Sequence, residues 1–323
     1  MIKNHRFSKL ILCLLFLSCA ANADTVYVSI EKDNALAVVN GETGERITSV
    51  TIGRRPRGIA LSKDGKQLYV AVSDDNQIQV IERATMTVKQ ALPSGDDPET
   101  FAVSADGRLM YVSNEDDNLV TVIDLVKAEV IKKIPVGVEP EGIATSADGK
   151  WVVSASETTN MVHWIDPKTH AIVHNTLVDP RPRALQFTAD SQELWVSSEI
   201  GGTVSVFDVA TKTLKHKISF KIPGITREQI QPVGVVIDVN RRWAYVALGP
   251  ANRVAIIDAQ TYQVKDYLLV GQRVWNLAFS PDHQRLYTTN GASHDISIID
   301  LERHKVIKSV AVGRFPWGVV AAP

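Results

Sequence analysis

The sequence predicts an all-β fold, a seven-bladed β-propeller with four-stranded antiparallel blades, and three observations lead to it. A unit of 42 residues recurs along the chain, short β-branched and aromatic runs fill that unit, and the two ends of the chain carry complementary pieces of one unit.

The recurrence is plainest at seven short segments. Those beginning at Gly58, Thr100, Gly142, Ala184, Gly234, Asn276 and Gly318 read GIALS, TFAVS, GIATS, ALQFT, GVVID, NLAFS and GVVAA, with spacings of 42, 42, 42, 50, 42 and 42. A period of this size suits propeller blades and paired-helix repeats alike, so the content of the unit decides. Runs of four to seven apolar residues separated by Asp, Asn, Gly and Pro are strands.

Each unit resolves into four strands in order. The first is the recurring segment itself. A turn such as Lys63-Asp64-Gly65, Ala105-Asp106-Gly107 or Pro281-Asp282-His283 follows, of the kind that tolerates positive φ. The second strand is led in most copies by an aromatic: Tyr27, Tyr69, Tyr111, Trp195, Tyr245 or Tyr287. The third ends in Asp124, Asp166, Asp208, Asp258 or Asp300, residues that accept hydrogen bonds from backbone N–H groups just downstream. The fourth is represented by 130–136 and 306–312. Because the chain opens with three strands (25–52) and finishes on a lone first-type strand (318–322), the last strand is expected to complete the first blade. That closure removes exposed sheet edges.

Residues 1–23 carry Lys3, Arg6 and Lys9, an apolar run from Leu10 to Leu17 and the tripeptide Ala21-Asn22-Ala23. This reads as a cleavable export signal and implies a periplasmic protein whose single propeller domain spans 24–323. Lipid anchoring at Cys19 is the lesser alternative, since Phe16 stands where such signals take a smaller aliphatic residue. Cys13 and Cys19 both fall within the signal, which leaves no disulfide to the remaining 300 residues. A chain of that length buries about 75% of its unfolded surface, enough for one core. Without the signal, 32 basic residues face 36 acidic ones, a balance that favours neither nucleic acid nor an anionic membrane. No later apolar run reaches the roughly 20 residues of a membrane span.

Tyr111-Val112-Ser113-Asn114 and Tyr287-Thr288-Thr289-Asn290 resemble the signature of the YVTN-type β-propeller repeat family, and the likeness covers nearly all of 24–323. The fourth repeat departs from it, with Val153-Ser154-Ala155-Ser156, and the fifth carries eight extra residues. A single-domain exported chain of seven repeats also resembles the β-propeller proteins associated with PQQ-dependent alcohol catabolism. That resemblance implies an accessory role beside a periplasmic quinoprotein dehydrogenase or its transport component.

A site is expected where the loops entering the innermost strands meet. The residue before each innermost strand is Arg57, Glu99, Glu141, Arg183, Val233, Trp275 or Trp317; two positions earlier stand Arg55, Asp97, Glu139, Arg181, Gln231, Arg273 and Phe315. Ring closure is expected to bring Arg273, Trp275, Arg314, Phe315 and Trp317 against Arg54, Arg55 and Arg57 as one arc of cations and rings. Such an arc suits a flat anion, a PQQ-like quinone carboxylate or an unstacked nucleotide. The competing reading pairs Arg57 with Glu99 and Glu141 with Arg183, closing the pore with the tryptophans as plugs. The insertion at 221–231 reads as a lid, a docking loop or simply a longer turn.

Metal and catalytic signals are weak. Glu31, Glu115, Glu157 and Glu199 occupy equivalent positions and offer the oxygen ligands calcium takes, yet no segment has EF-hand spacing and no metal site is assigned. His170 and His174, read as one strand, stand about 13 Å apart, too far to share a metal. There is no Gly-x-Ser-x-Gly elbow. The function expected is a non-enzymatic binding or accessory protein in PQQ-linked alcohol oxidation, offering its mouth to a partner protein or planar anion. The alternatives are a lactonase-like hydrolase using an Arg and a Glu of the mouth, by fold analogy, and single-stranded nucleic-acid binding.

Overall fold

The computed structural model describes residues 24–323, so the expected export signal lies outside the described residues. Seven antiparallel sheets of four strands each stand around a central channel. The first blade combines Pro316–Ala322 with Thr25–Ile30, Ala35–Asn40 and Arg46–Thr51. Blades two to seven follow at 56–93, 98–135, 140–177, 182–219, 235–269 and 274–311.

Closure is made by register as well as by contact. Thr25 faces Ala322, Val26 faces Ala321 and Val28 faces Val319. Val26, Val28 and Val319 pack with Tyr287 of the seventh blade, while Tyr27, Leu36 and Ala322 pack with Val70 of the second. The first blade is therefore held on both faces by side chains from opposite ends of the chain.

The core consists of such seams between blades, which is why second and third strands are buried on both faces. Tyr111, Trp195, Tyr245 and Tyr287 each lose essentially all exposure there. Fourth strands form the outer rim and are largely exposed, and those at Glu129–Pro135 and Leu214–Ser219 carry lysines that discourage edge pairing. In every blade the pairing of third with fourth strand shifts register once. Such a bulge adds the twist that lets wedge-shaped sheets fan outward.

Candidate functional site

At the mouth, the repeat signature acquires a physical role. The hydroxyl at its third position reaches across to the next blade and donates to the carbonyl of a mouth residue. Ser29 binds the carbonyl of Arg57 at 2.7 Å, Ser197 that of Val233 at 2.6 Å and Thr289 that of Trp317 at 2.7 Å. Ser113 does the same for Glu141. Glycine follows in several blades because innermost strands approach closely: a Cβ at Gly58 would lie 2.9 Å from the carbonyl oxygen of Glu99.

Two residues before the mouth residue, in every blade but the sixth, where Gln231 stands, the backbone turns left-handed. Arg55, Asp97, Glu139, Arg181, Arg273 and Phe315 all have φ between 47° and 59°. Non-glycine residues adopt this region only where the surroundings impose it.

The side chains so placed form two charged clusters. In the first, Arg55 pairs with Asp97 at 2.5 Å and Glu99 at 3.0 Å, and Arg57 pairs with Glu99 at 2.8 Å and Glu31 at 3.5 Å. In the second, Arg183 pairs with Glu141 at 2.6 Å and with Glu157, while Arg181 meets Glu157 at 3.0 Å and Glu199 at 3.1 Å. Arg273 reaches Glu199 at 3.2 Å from the seventh blade. Glu99, Glu141 and Arg183 are buried.

Burial shapes the charge of these groups. It pushes Glu99 up to about 8, against the opposing pull of Arg57. It raises Glu141 well above the usual carboxylate range, with Glu157 adding to the rise and Arg183 opposing it. Asp97 and Glu115 are raised by burial too, each with a neighbouring carboxylate adding to the effect. Arg183 is raised although burial opposes it, because Glu141, Glu157 and Glu199 surround it. One guanidinium divided among three carboxylates cannot compensate each of them fully.

The expected arc of cations and rings forms only in part. Arg57 lies over Trp317 at 5.4 Å, Arg273 over Trp275 at 4.5 Å and Arg183 over Trp275 at 5.7 Å. Arg54 and Arg314 instead turn to the outer surface and pair with Asp75 at 2.7 Å and Asp33 at 2.6 Å. Phe315 is 42% exposed and tilts against His294 at 5.2 Å. The left-handed turns at Arg55 and Phe315 separate the directions of adjacent side chains, which spacing alone did not reveal. Each mouth arginine is committed to carboxylates, so the arc offers no open row of cations to a flat anion.

Other expectations are corrected by packing. The insertion is no lid: Ile222 and Ile230 are buried beside Trp195 and Val246, with Phe220 and Ile225 against the same cluster, sealing the seam between blades five and six. His170 lies in a left-handed turn before the strand Ala171–Leu177 and packs on Tyr111 at 6.1 Å. Of the four equivalent glutamates, Glu157 and Glu199 come together on the guanidinium of Arg181 and Glu31 pairs with Arg57, so these three are taken by arginines. Carboxylate oxygens of Asp97, Glu99 and Glu115 lie within 4.8 Å of one another, but Asp97 and Glu99 already hold Arg55 and Arg57 there.

Below the mouth, Glu141, Arg183 and Trp317 line a central cavity of 280 Å³, sized for a small ligand. Two buried donors of these residues lack a hydrogen-bond acceptor among the described residues, the indole N–H of Trp317 and the Nε–H of Arg183, the latter 3.7 Å from a carboxylate oxygen of Glu199. A carboxyl group, a guanidinium and an indole around one cavity are the groups that could activate water and receive a developing oxyanion. Sequence reasoning picked out all three residues but not their unfilled valences, because hydrogen-bond satisfaction depends on neighbours contributed by other blades.

Comparison with known proteins places this geometry in context. The cytochrome D1 heme domain family matches residues 63–158, and the choice-of-anchor I domain family matches residues 126–310, more than half of the chain. No curated protein matches. Among solved structures, a chain of Kuenenia stuttgartiensis hydrazine synthase is 22% identical with a TM-score of 0.75, covering 82% of this chain and 89% of that one. A candidate 6-phosphogluconolactonase from Bacteroides fragilis is 18% identical with a TM-score of 0.79, covering 95% and 99%. Another from Bacteroides uniformis is 16% identical with a TM-score of 0.77, covering 93% and 100%. At these identities the structures share the fold alone, and nothing in them speaks to PQQ. By the extent of its family match, this seven-bladed propeller belongs to the choice-of-anchor I domain family.

Proposed function

We propose that the chain is a hydrolase of small, uncharged lactones, acting in the central cavity beneath the mouth and exported by residues 1–23. The observation that carries the reading is the meeting of Glu141, Arg183 and Trp317 on the lining of one 280 Å³ cavity, with the Nε–H of Arg183 and the indole N–H of Trp317 lacking a hydrogen-bond acceptor among the described residues. The likeness to candidate 6-phosphogluconolactonases supports the reaction class. The commitment of Arg55, Arg57, Arg181 and Arg273 to carboxylates supports a neutral substrate over a phosphorylated one.

In this scheme water attacks the lactone carbonyl carbon and Glu141, acting in its ionised form, takes its proton; burial, which raises this carboxyl group, makes that form the stronger base. Arg183 and Trp317 donate to the oxygen that gains charge. The ring C–O bond then breaks, and the departing alkoxide takes the proton back from Glu141, leaving a hydroxy acid. The anionic product is repelled by the acid-rich mouth. Hydrolysis of glucono-δ-lactone above its spontaneous rate tests the proposal. Wild type is expected to accelerate it and Glu141→Gln, which keeps the side chain's shape, to lose at least ~100-fold. No acceleration by wild type, or an unchanged rate in the variant, rejects it.

A further inference from the structure

We propose a second binding site, for a planar aromatic anion, in the groove between blades six and seven at the end of the propeller opposite the mouth. The groove has a volume of 540 Å³ and is walled by Trp243, Tyr245, Phe279 and His283, with Arg242 and Arg285 at its sides. It owes nothing to the lactonase reading, and either can fail without the other.

The rings already make an ordered lining. Tyr245 meets Phe279 edge-on at 5.8 Å, Phe279 lies against His283 at 5.0 Å, and His304 stands edge-on to Trp243 at 4.9 Å. His283 occupies the turn position held by Gly65, Gly107 and Gly149 in blades two to four, and it keeps their left-handed backbone at φ 57°. Ser191 and Arg241 take the same left-handed position in blades five and six, so what sets His283 apart is its ring, which packs on Phe279.

The charge pattern is the second argument. In the neighbouring groove, between blades five and six, Arg241 is held by Asp190 at 3.0 Å and by the buried Glu193 at 2.8 Å. The positions in blade six that correspond to those acids are Asn240 and Trp243. The groove between blades six and seven has thus lost both acids and gained an indole. Arg242 is exposed and Arg285 half-buried, and neither guanidinium has an ion pair or side-chain hydrogen bond among the described residues. Of the acids on this lining, Asp238 gives both oxygens to the backbone N–H groups of Arg242 and Trp243, and Asp300 accepts from the backbone N–H of Arg303. Glu302 stands at the exposed edge, and Asp24 and Asp282 lie close enough to Arg285 to feel its charge without forming an ion pair with it. Guanidinium groups without an ion pair, set beside aromatic faces, suit a ligand that stacks and carries a carboxylate or phosphate. The mouth has the opposite character, since its arginines are occupied.

Titration calorimetry with 1-naphthoate and its uncharged analogue 1-naphthamide tests the site. Wild type is expected to prefer the anion by ~10-fold, the scale of one charge-assisted hydrogen bond. The double variant Arg242→Gln, Arg285→Gln should bind both probes equally, at the amide's affinity, and Trp243→Leu should weaken both. Thermal unfolding of each variant confirms that it is folded, and neither the exposed Arg242 nor the half-buried Arg285 belongs to the core. Equal affinity of wild type for the two probes, absence of saturable binding, or a preference that survives in the double variant overturns the proposal.

Discussion

Asn118 accepts the backbone N–H of Glu139 through its Oδ1 at 2.9 Å, joining the third blade to the fourth across 21 residues of sequence. The relationship recurs. Asn34 holds Arg55, Asn76 holds Asp97, Asn160 holds Arg181 and Asn252 holds Arg273 in the same way, at 2.8–3.0 Å. At the closing seam His294 takes the part of asparagine and accepts from Phe315 at 3.2 Å. These bonds fix the left-handed residues of the mouth, so the ion pairs above them inherit their geometry from the turn of the preceding blade.

Asn118 is itself left-handed, at φ 56°. Asn118→Ala removes the acceptor and puts a disfavoured residue in that region, and is expected to cost about 2 kcal/mol. Asn118→Gly removes only the acceptor and is expected to cost about 1 kcal/mol. Urea unfolding of the two variants measures the difference, which must favour glycine.

Deleting residues 316–323 strips the first blade of its innermost strand and leaves Thr25–Ile30 as an unpaired inner edge. The truncated chain is expected to lose cooperative unfolding and to self-associate. Thermal scans and analytical sedimentation check this, against a full-length chain that remains cooperative.

Glu99 is held near 8 by burial, above the ordinary glutamate value of 4.5. A folded state that prefers the proton is stabilised by it fully below pH 4.5, and that stability fades as pH rises through 8. Wild-type Tm is therefore expected to fall between pH 5 and pH 8.5 by on the order of 5 °C more than that of Glu99→Gln. The two should converge in their pH response once Glu99 is fully protonated or fully ionised.

The insertion works by filling a seam, so its apolar anchors should matter for stability and not for turnover. Ile222→Ala and Ile230→Ala, both at buried positions, are each expected to cost about 2–4 kcal/mol. KM for a lactone substrate should stay unchanged in both.

Much of this architecture was legible because the 42-residue spacing survives in residues whose roles are local. Tyr111 and Tyr287 fill equivalent places in seams, and Ser29, Ser113 and Thr289 each bind a carbonyl 28 residues on in the next blade, an offset that the insertion stretches to 36 for Ser197. The pairs Arg57–Glu99 and Arg183–Glu141 followed from the same regularity. The asparagine latches share that spacing and went unread, since an Asn in a polar turn already has a local explanation. What spacing cannot convey is direction. Arg54 and Arg55 are adjacent, yet the left-handed turn sends one to Asp75 on the surface and the other to Glu99 in the mouth. Nor does a repeat announce where it has been abandoned: the exchange of Glu193 for Trp243 between consecutive blades becomes meaningful only once the grooves they line are seen side by side.

The central claim is that a buried carboxyl group works in a channel whose arginines are already spent. It is tested most directly by comparing kcat/KM for glucono-δ-lactone with that for its 6-phosphorylated form. A preference of ~10-fold or more for the neutral lactone is expected, since a phosphate would meet carboxylates and find no unoccupied guanidinium at the mouth. A preference of that size for the phosphorylated lactone would contradict the account.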